Sequence, residues 1–214
     1  MTYLLLLLMA WMGRPAAAEP PLRQLVAIVD ARYDALTTLR AHFTEVYSQG
    51  GLERRESGIL YLRKPGLMRW DYLQPRRKMF LVTRHRVWLY LPAERQAQVR
   101  SLKSATNLKT PLRWLLGKLN LPRELKDMTY GGLNPLWPGD YVIRGKPAAL
   151  GPQFREVLIE VSPAYNIRRL VIRAANGVQT DFQLRGIAAN IPVPERLFRF
   201  HPPAGVQVVP AAQP

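Results

Sequence analysis

The stretch GILYLRKPGLMRWDYLQP (residues 58–75) decides the fold, because it consists of two alternating runs joined at Pro65-Gly66. Such a pattern predicts a β-hairpin. A two-residue type II turn, with Pro at its second position and Gly at its third, would place Tyr61 opposite Trp70. In that register one face of the hairpin collects Ile59, Tyr61, Met68, Trp70 and Tyr72. A longer, bulged loop would shift the register by one residue, because type II turns match the twist of a hairpin poorly.

Further strands are predicted on both sides of the hairpin. Short runs rich in strand-forming residues are separated by Gly, Pro and Asn-Gly turns. The predicted strands cover 39–48, 53–63, 67–73, 78–84, 87–92, 95–102, 141–145, 154–161, 166–174, 178–188 and 196–200. About eleven strands with few helices indicate a mainly β fold, built on one large antiparallel sheet that is curled or barrel-like.

Two helices are predicted from apolar periodicity. Over residues 20–36 the apolar side chains form a single stripe of Leu22, Leu25, Val26, Val29, Tyr33 and Leu36. The second helix, over 110–117, has Thr110 as its N-cap and Leu112, Leu115 and Leu116 on one face. Two turns of helix are not stable alone, so this segment must lie on an apolar surface.

The aromatic residues of the predicted sheet allow two interpretations. They either form an ordinary core under the two helices, or they help to line an apolar cavity that the helices are too small to fill. The residues predicted to line such a cavity are Ile59, Tyr61, Met68, Trp70, Tyr72, Phe80, Val82, Trp88, Tyr90 and Phe182.

The N-terminus is typical of an exported protein. An apolar run from Leu4 to Met12 precedes the small residues Ala16-Ala17-Ala18, so we interpret residues 1–18 as a signal peptide. The run is far shorter than the ~20 apolar residues of a spanning helix. Residues 19–210 are then predicted to form a single domain, and residues 211–214 a short tail. The chain has no cysteine, which excludes disulfides and a thioether lipid anchor.

The composition is strongly basic, with 31 Lys+Arg against 15 Asp+Glu and a net charge of +16. Such a balance is typical of proteins that meet nucleic acid or anionic membrane surfaces, and the predicted export argues against nucleic acid. The charges are spread along the chain, a distribution that is more typical of a solvated sheet face than of a binding patch.

The sequence carries no recognisable catalytic motif. His42, His85 and His201 are scattered and have no acidic or Cys companions at motif-like spacing. The nucleophile elbow, the zinc-protease helix and the two glycine-rich nucleotide motifs are all missing. We therefore predict a protein that is not an enzyme and that uses no metal and no cofactor.

The order of the motifs resembles the periplasmic outer-membrane lipoprotein carrier family (LolA-type). The resemblance rests on Leu39 and Phe43, Gly58, RKPGLMRWDY (63–72) with Pro75, VWLYLP (87–92), Gln98-Val99, TPLRWLL (110–116) and FRFHPPAGVQV (198–208). It covers most of residues 36–209 and is weakest over 119–153.

This resemblance implies an incomplete, unclosed antiparallel β-barrel with a helical lid over an apolar cavity. It implies a periplasmic chaperone that carries acylated lipoproteins from the inner to the outer membrane. The implied partners are an inner-membrane ABC lipoprotein-releasing transporter and an outer-membrane lipoprotein receptor, and we expect a monomer. Two alternatives stay open: a periplasmic lipid- or lipopolysaccharide-binding or sensor module of the same fold, and an exported hydrolase, which the absent catalytic motifs disfavour.

The resemblance also implies how the lid is held. The family typically has an Arg just before the turn Pro, and that Arg donates hydrogen bonds to the lid backbone. Here Lys64 stands in this position beside Arg63, so both are predicted lid contacts, although lysine lacks the planar guanidinium fork. The predicted lid residues are Leu22, Leu25, Val29, Leu112, Leu115 and Leu116.

Overall fold

The computed structural model describes residues 19–103, 118–148 and 151–211. These residues contain two α-helices, α1 (Leu22–Asp34) and α2 (Leu121–Glu124). Their strands are β1 (Thr38–Gln49), β2 (Leu52–Arg63), β3 (Leu67–Gln74), β4 (Lys78–Val82), β5 (Arg86–Leu91), β6 (Gln96–Ser101), β7 (Leu125–Tyr130), β8 (Tyr141–Pro147), β9 (Phe154–Val161), β10 (Ile167–Ala174), β11 (Gln179–Ala189) and β12 (Gln207–Pro210). The predicted signal peptide and the predicted helix over 110–117 lie outside the described residues.

All of these strands belong to one sheet of twelve strands in the order β12-β6-β5-β4-β3-β2-β1-β11-β10-β9-β8-β7. Neighbours are antiparallel except β12 and β6, which pair in parallel. The sheet is therefore two meanders that meet where β1 pairs with β11. Because β12 and β7 lie at opposite ends of the order, the sheet is unclosed. The predicted mainly β, unclosed fold is confirmed, with twelve strands where about eleven were expected.

One predicted strand is wrong and two strands were missed. Residues 196–200 do not join the sheet, and most of this segment is a 3₁₀ turn, Glu195–Phe198. Pro192, Pro194 and Pro202 flank it, and proline donates no hydrogen bond to a strand ladder. The missed strands are β7, which follows the short helix α2, and β12, whose four residues pair with β6.

The two faces of the sheet are covered differently. The face that we call the inner face carries the largest apolar cluster and is covered by α1. The outer face carries two smaller clusters. The first is covered by residues 191–206, which contribute the buried Val193 and Phe198. The second includes Leu133 from the loop between β7 and β8.

Helix α1 connects strands on both sides of the β1–β11 pair. The backbone N–H of Ile167 in β10 donates to the Tyr33 hydroxyl at 3.0 Å, and Lys64, which follows β2, donates to the Tyr33 carbonyl. In the order of the sheet β11 and β1 lie between β10 and β2, so Tyr33 bridges strands that are three positions apart. Among the described residues, no helix has the length and the apolar character needed to cross a bilayer.

Candidate functional site

The hairpin at residues 58–75 pairs one residue away from the register of a two-residue turn. Leu60 pairs with Trp70 and Arg63 pairs with Leu67, which leaves residues 64–66 as a three-residue loop. A shift of one residue moves every side chain of one strand to the other face. The two-residue turn is therefore wrong, and the longer loop considered as its alternative is confirmed.

The shift divides the predicted lining residues between the two faces. Met68, Trp70, Tyr72, Phe80, Val82 and Phe182 lie on the inner face. Ile59, Tyr61, Trp88 and Tyr90 lie on the outer face. The prediction that Ile59 and Tyr61 share a face with Trp70 is wrong because of the register. Trp88 and Tyr90 instead contact Phe200 of the C-terminal segment, with ring centroids 5.3 and 5.1 Å away.

Four aromatic rings form a cluster on the inner face. Phe43 meets Trp70 edge to face at a centroid distance of 4.6 Å and Tyr72 at 4.9 Å. Trp70 also contacts Phe182 of β11 at 5.6 Å. Such edge contacts are favoured by the charge distribution of aromatic rings. Phe43 and Trp70 are each only 2% exposed, so the cluster is a packed floor beneath α1.

Gly58 allows Phe43 to occupy this position. It pairs with Phe43 on one side and lies at a bulge between β2 and β3 on the other. A Cβ atom on Gly58 would lie 1.9 Å from the carbonyl oxygen of Asp71 and 2.9 Å from the Phe43 ring. Only a residue without a side chain lets β3 and the ring approach β2 so closely.

Helix α1 covers the inner face with the stripe predicted from the sequence. Leu25, Val26, Val29 and Tyr33 are buried against the sheet, and Leu22 is partly buried at the start of the helix. Burial raises the pKa of Tyr33 to about 12. The helical prediction is confirmed for this element, with ends at Leu22 and Asp34 instead of 20 and 36.

Lys64 connects the hairpin loop to the last turn of α1. Its Nζ donates to the carbonyl oxygen of Tyr33 at 2.5 Å, and its backbone N–H donates to the carbonyl of Thr37 at 2.8 Å. Burial lowers the pKa of Lys64, and nearby Asp34 opposes this shift. Arg63 points elsewhere: its Nη1 donates to the carbonyl of Val193 on the outer face at 2.9 Å. Of the two predicted lid contacts, only Lys64 meets a described helix.

Polar groups also hold α1 at its other side. The carboxylate of Asp30 accepts from the backbone N–H of Leu121 at 3.1 Å, and Asp34 accepts from that of Leu119 at 2.9 Å. Burial raises the pKa of Asp30 to about 6. These contacts attach the helix to the segment before β7. The other predicted lid residues, Leu112, Leu115 and Leu116, lie outside the described residues, so their role stays a prediction.

Two pockets open at the ends of α1. One of about 540 Å³ lies between α1, α2 and β7 and is lined by Leu22, Arg23, Val26, Ala27, Asp30, Pro122 and Met128. The other, of about 320 Å³, lies beside the last turn of α1. Both fall in the lower part of the ~300–1,000 Å³ range of ligand pockets. With α1 seated, both of these pockets lie at the margins of the inner face.

One end of the inner face carries polar side chains. The Tyr72 hydroxyl donates to Glu45 at 2.8 Å, and the Lys78 Nζ donates to both oxygens of Glu56 at 2.7–2.8 Å. Burial raises the pKa of Glu45. Lys78 also lies 4.2 Å from the centre of the Tyr72 ring. This ordered polar rim borders the apolar floor.

The described residues contain no cluster of three or more His, Asp or Glu side chains that could hold a metal ion. His42, His85 and His201 are all exposed. The predicted lining residues did not include Phe43, Gly58, Leu60 and Leu62. The alternation of residues along β2 places Leu60 and Leu62 on the same face as Gly58. With a three-residue loop, that face is the one that carries Trp70 and Met68.

Comparison with known proteins gives a consistent result. The family model of the outer membrane lipoprotein carrier protein LolA matches residues 34–201. An outer-membrane lipoprotein carrier protein of Methylococcus capsulatus is 30% identical over 209 residues, which cover 96% of each chain. A protein of the same description from Nitrosospira multiformis is 26% identical over 80% of this chain and 82% of its own.

Solved structures share the fold at low sequence identity. An uncharacterized conserved protein of Thermus thermophilus superposes with a TM-score of 0.56 at 16% identity, over 88% of this chain and 99% of its own. MucB gives a TM-score of 0.51 at 13% identity, over 86% of this chain and 63% of its own. A putative outer membrane lipoprotein-sorting protein domain from Vibrio parahaemolyticus gives a TM-score of 0.50 at 13% identity, over 82% of this chain and 94% of its own.

Proposed function

This chain belongs to the LolA family of outer membrane lipoprotein carriers, and we propose that it carries acylated lipoproteins from the inner to the outer membrane by shielding their acyl chains. The observation that supports this proposal is the inner face of the sheet. It is a continuous apolar surface whose cover, α1, is a short helix near the start of the described chain. The acyl chains take the place of that helix.

The free energy gained when α1 covers the inner face is similar in size to that gained when an acyl chain is buried there. Burial of Leu25, Val26, Val29 and Tyr33 stabilises the covered state by ~1.5–3 kcal/mol for each side chain, or about 6–12 kcal/mol as an upper estimate. A buried methylene contributes ~0.8 kcal/mol, so roughly 8–15 methylenes offset the displacement of α1, about the length of one fatty acyl chain. Cargo binding is therefore an exchange of apolar surfaces, which keeps release fast.

The polar contacts of α1 suit a cover that opens and closes. Lys64, Asp30 and Asp34 each hold backbone groups near α1 through one or two hydrogen bonds. Each such bond contributes ~1–3 kcal/mol, and water replaces it when the helix leaves. These contacts fix where α1 returns without making its departure slow.

The proposal includes partners and a location, which membership of the family supports. An inner-membrane ABC transporter loads the carrier, and an outer-membrane receptor empties it, so the chain acts in the periplasm without enzymatic turnover. The absence of a nucleotide-binding motif in the sequence agrees with energy supplied by the transporter. The alternative is a lipid- or lipopolysaccharide-binding module of the same fold, and the following experiment distinguishes it from a lipoprotein carrier.

Site-specific photocrosslinking tests the proposal. Phe80 on the inner face and Tyr90 on the outer face are both partly buried aromatic residues, on neighbouring strands. Each is replaced by p-benzoylphenylalanine in the full chain, and the products crosslinked in the periplasm are identified by mass spectrometry. We expect acylated lipoproteins on the Phe80 variant and none on the Tyr90 variant.

Other products would contradict the proposal. Free lipid or lipopolysaccharide on the Phe80 variant would favour the alternative module. Equal crosslinking of lipoproteins at Phe80 and Tyr90 would show that the inner face is not the cargo site. Far-UV circular dichroism of both variants verifies that the sheet is intact.

A further inference from the structure

The sheet has a notch between β10 and β11. The last pair between these strands is Arg169 with Gln183, but β11 continues to Ala189 and pairs there only with β1 among the described strands. Two pockets open at this notch. One, the arginine pocket, has a volume of about 380 Å³, and the other is the 320 Å³ pocket beside the last turn of α1. The two share Asn166 and Ile187, so they are parts of one groove.

The arginine pocket is built around Trp137. The guanidinium carbons of Arg168 and Arg185 lie 5.6 and 5.2 Å from the centre of its indole ring. Both distances are within the range of cation–π attraction. Both guanidinium groups therefore lie against the Trp137 ring, and both line the arginine pocket. Two guanidinium groups that line one pocket are suited to bind a phosphate through charge-assisted hydrogen bonds.

Two buried carboxylates hold this arrangement in place. Asp140 accepts from the Arg168 Nη1 at 3.2 Å, and its side chain is fully buried. Glu160, which is 1% exposed, accepts from the backbone N–H groups of Leu136 and Trp137 at 2.7 and 3.0 Å. The loop that carries Trp137 is thus tied to β9. The pocket is pre-organised, which reduces the entropy lost when a ligand binds.

The notch has excess positive charge. Arg185 and Arg32 form no ion pair within the described residues, whereas Arg168 is paired with Asp140. Arg32 lies at the other end of the groove and donates to the Oδ1 of Asn166 at 2.7 Å. Within the described residues, Arg185 in the first pocket and Arg32 in the second have no carboxylate partner, so an anion is favoured in the groove.

The second pocket is apolar on its inner side. It is lined by Tyr33, Leu36, Leu39, Ile187 and Ala189, together with Arg32, Ala35, Asn166 and Asn190. Leu36 and Leu39 belong to the large cluster of the inner face, against which Ile187 and Ala189 also pack. The groove therefore runs from Arg168 and Arg185 to a pocket that combines apolar side chains with Arg32. That sequence of polarities matches an amphiphile with an anionic head.

We propose that the notch binds one phospholipid molecule, with its phosphodiester in the arginine pocket and the first part of an acyl chain beside the last turn of α1. An acidic peptide would satisfy the guanidinium groups but would leave the apolar pocket unfilled. The ligand differs from the lipoprotein cargo, and its site lies at the side of the sheet. The inference therefore holds or fails separately from the proposed function.

Calorimetric titration of the purified full chain with dihexanoyl phosphatidylglycerol, kept below its micelle concentration, tests the proposal. Glycerol phosphate presents the head without the tails, and octyl glucoside presents a tail without charge. We expect binding of the phospholipid only. Arg185→Gln should weaken it about tenfold or more, because a charge-assisted contact is lost. Arg84→Gln, the same change at an exposed turn, is the matched control and should leave the affinity within about twofold.

Each other outcome overturns the proposal. Equal loss of affinity in the Arg84 and Arg185 variants would indicate attraction by net charge alone. Glycerol phosphate binding as tightly as the phospholipid would indicate a site for free phosphate, and no binding of the phospholipid would remove the site altogether. Arg185 is exposed on β11, beyond the last pair with β10, so its variant is expected to fold, which circular dichroism verifies. Crosslinking of lipoproteins at Phe80 in the same chain judges the proposed function independently.

Discussion

Replacement of Gly58 by Ala is the sharpest test of how the inner face is built. The new Cβ atom would lie 1.9 Å from the Asp71 carbonyl oxygen, which is backbone of β3, and 2.9 Å from the Phe43 ring. Neither neighbour is the flexible end of a long side chain, so β2 and β3 must separate and the ring must move. Gly58 is not in the left-handed region of φ, so the cost is steric rather than conformational.

The magnitude follows from three contributions. Overpacking costs ~1–3 kcal/mol, and each strand hydrogen bond that is lost costs about 1 kcal/mol. Ala lowers the entropy of the unfolded chain and returns ~0.4–1 kcal/mol. With one strand hydrogen bond lost, we therefore expect Gly58→Ala to lower the free energy of unfolding by about 1–4 kcal/mol, and to weaken the near-ultraviolet circular dichroism of the aromatic cluster.

Urea unfolding measures this change, with Gly145→Ala as the control. Gly145 also lies within a strand, but its Cβ would meet Leu125 and Met128 at 3.0 and 3.2 Å, contacts that small shifts relieve. We expect the control to cost less than half as much. If Gly58→Ala unfolds within about 0.5 kcal/mol of the wild type, or costs no more than the control, the close approach of β3 to β2 is refuted.

Three further predictions concern charged groups around the inner face. Lys64→Met should destabilise the chain by ~1–2 kcal/mol, because the last turn of α1 loses a partly exposed charged donor. Lys64→Arg keeps a charged donor at this position and should be close to the wild type in stability. Asp30→Asn should stabilise the chain at pH 7, because burial raises the pKa of Asp30 to about 6 while the amide oxygen still accepts from Leu121. The folded chain then binds the Asp30 proton more tightly than the unfolded chain, so this advantage should shrink as the pH falls from about 6 to about 4. Lys78→Met should cost ~1–3 kcal/mol, because it leaves Glu56 buried without its cation, and adding Glu56→Gln should recover most of that loss.

All three are measured by urea unfolding, and each has an outcome that contradicts it. Equal stability of the Met and Arg variants at Lys64 would mean that the hydrogen bond to α1 contributes nothing. An Asp30→Asn advantage that does not change between pH 7 and pH 4 would exclude titration of this carboxylate as its cause. Additive losses in the double variant of Lys78 and Glu56 would show that the two groups do not interact in the folded chain.

The sequence was informative wherever structure is local. The apolar stripe of α1 and the alternation of ten strands were read correctly, because each pattern repeats within a dozen residues. The hairpin register was not predicted correctly, because Pro65-Gly66 fits both a two-residue and a three-residue loop. What decides between them is the packing of Phe43 over Gly58, a contact with β1 that no pattern within the hairpin reveals.

The candidate sites depend on contacts between distant residues and were only partly foreseen. Lys64 was identified because the resemblance marked its position, and the structure brings it to α1. Arg63, its neighbour in sequence, points to the other face because side chains alternate along a strand. Trp137 was visible only as an aromatic residue in a Pro/Gly-rich connection. Its position beside two arginines depends on the pairing of β10 with β11, and periodicity carries no information about that pairing.

The pairing of β1 with β11 also has a consequence for how the chain reaches its fold. From β1 to β6 and from β7 to β11, consecutive strands pair through short connections, so each group can form while only local segments are ordered. Phe43 and Leu184 face each other across the one seam that joins the meanders, although most of the chain separates them. Closing such a long loop is slow, because the entropy is lost before the contact is gained. The seam and the β12–β6 pair should be the last parts of the sheet to gain protection from hydrogen exchange during refolding. Until the seam closes, the aromatic cluster that spans it is exposed to water.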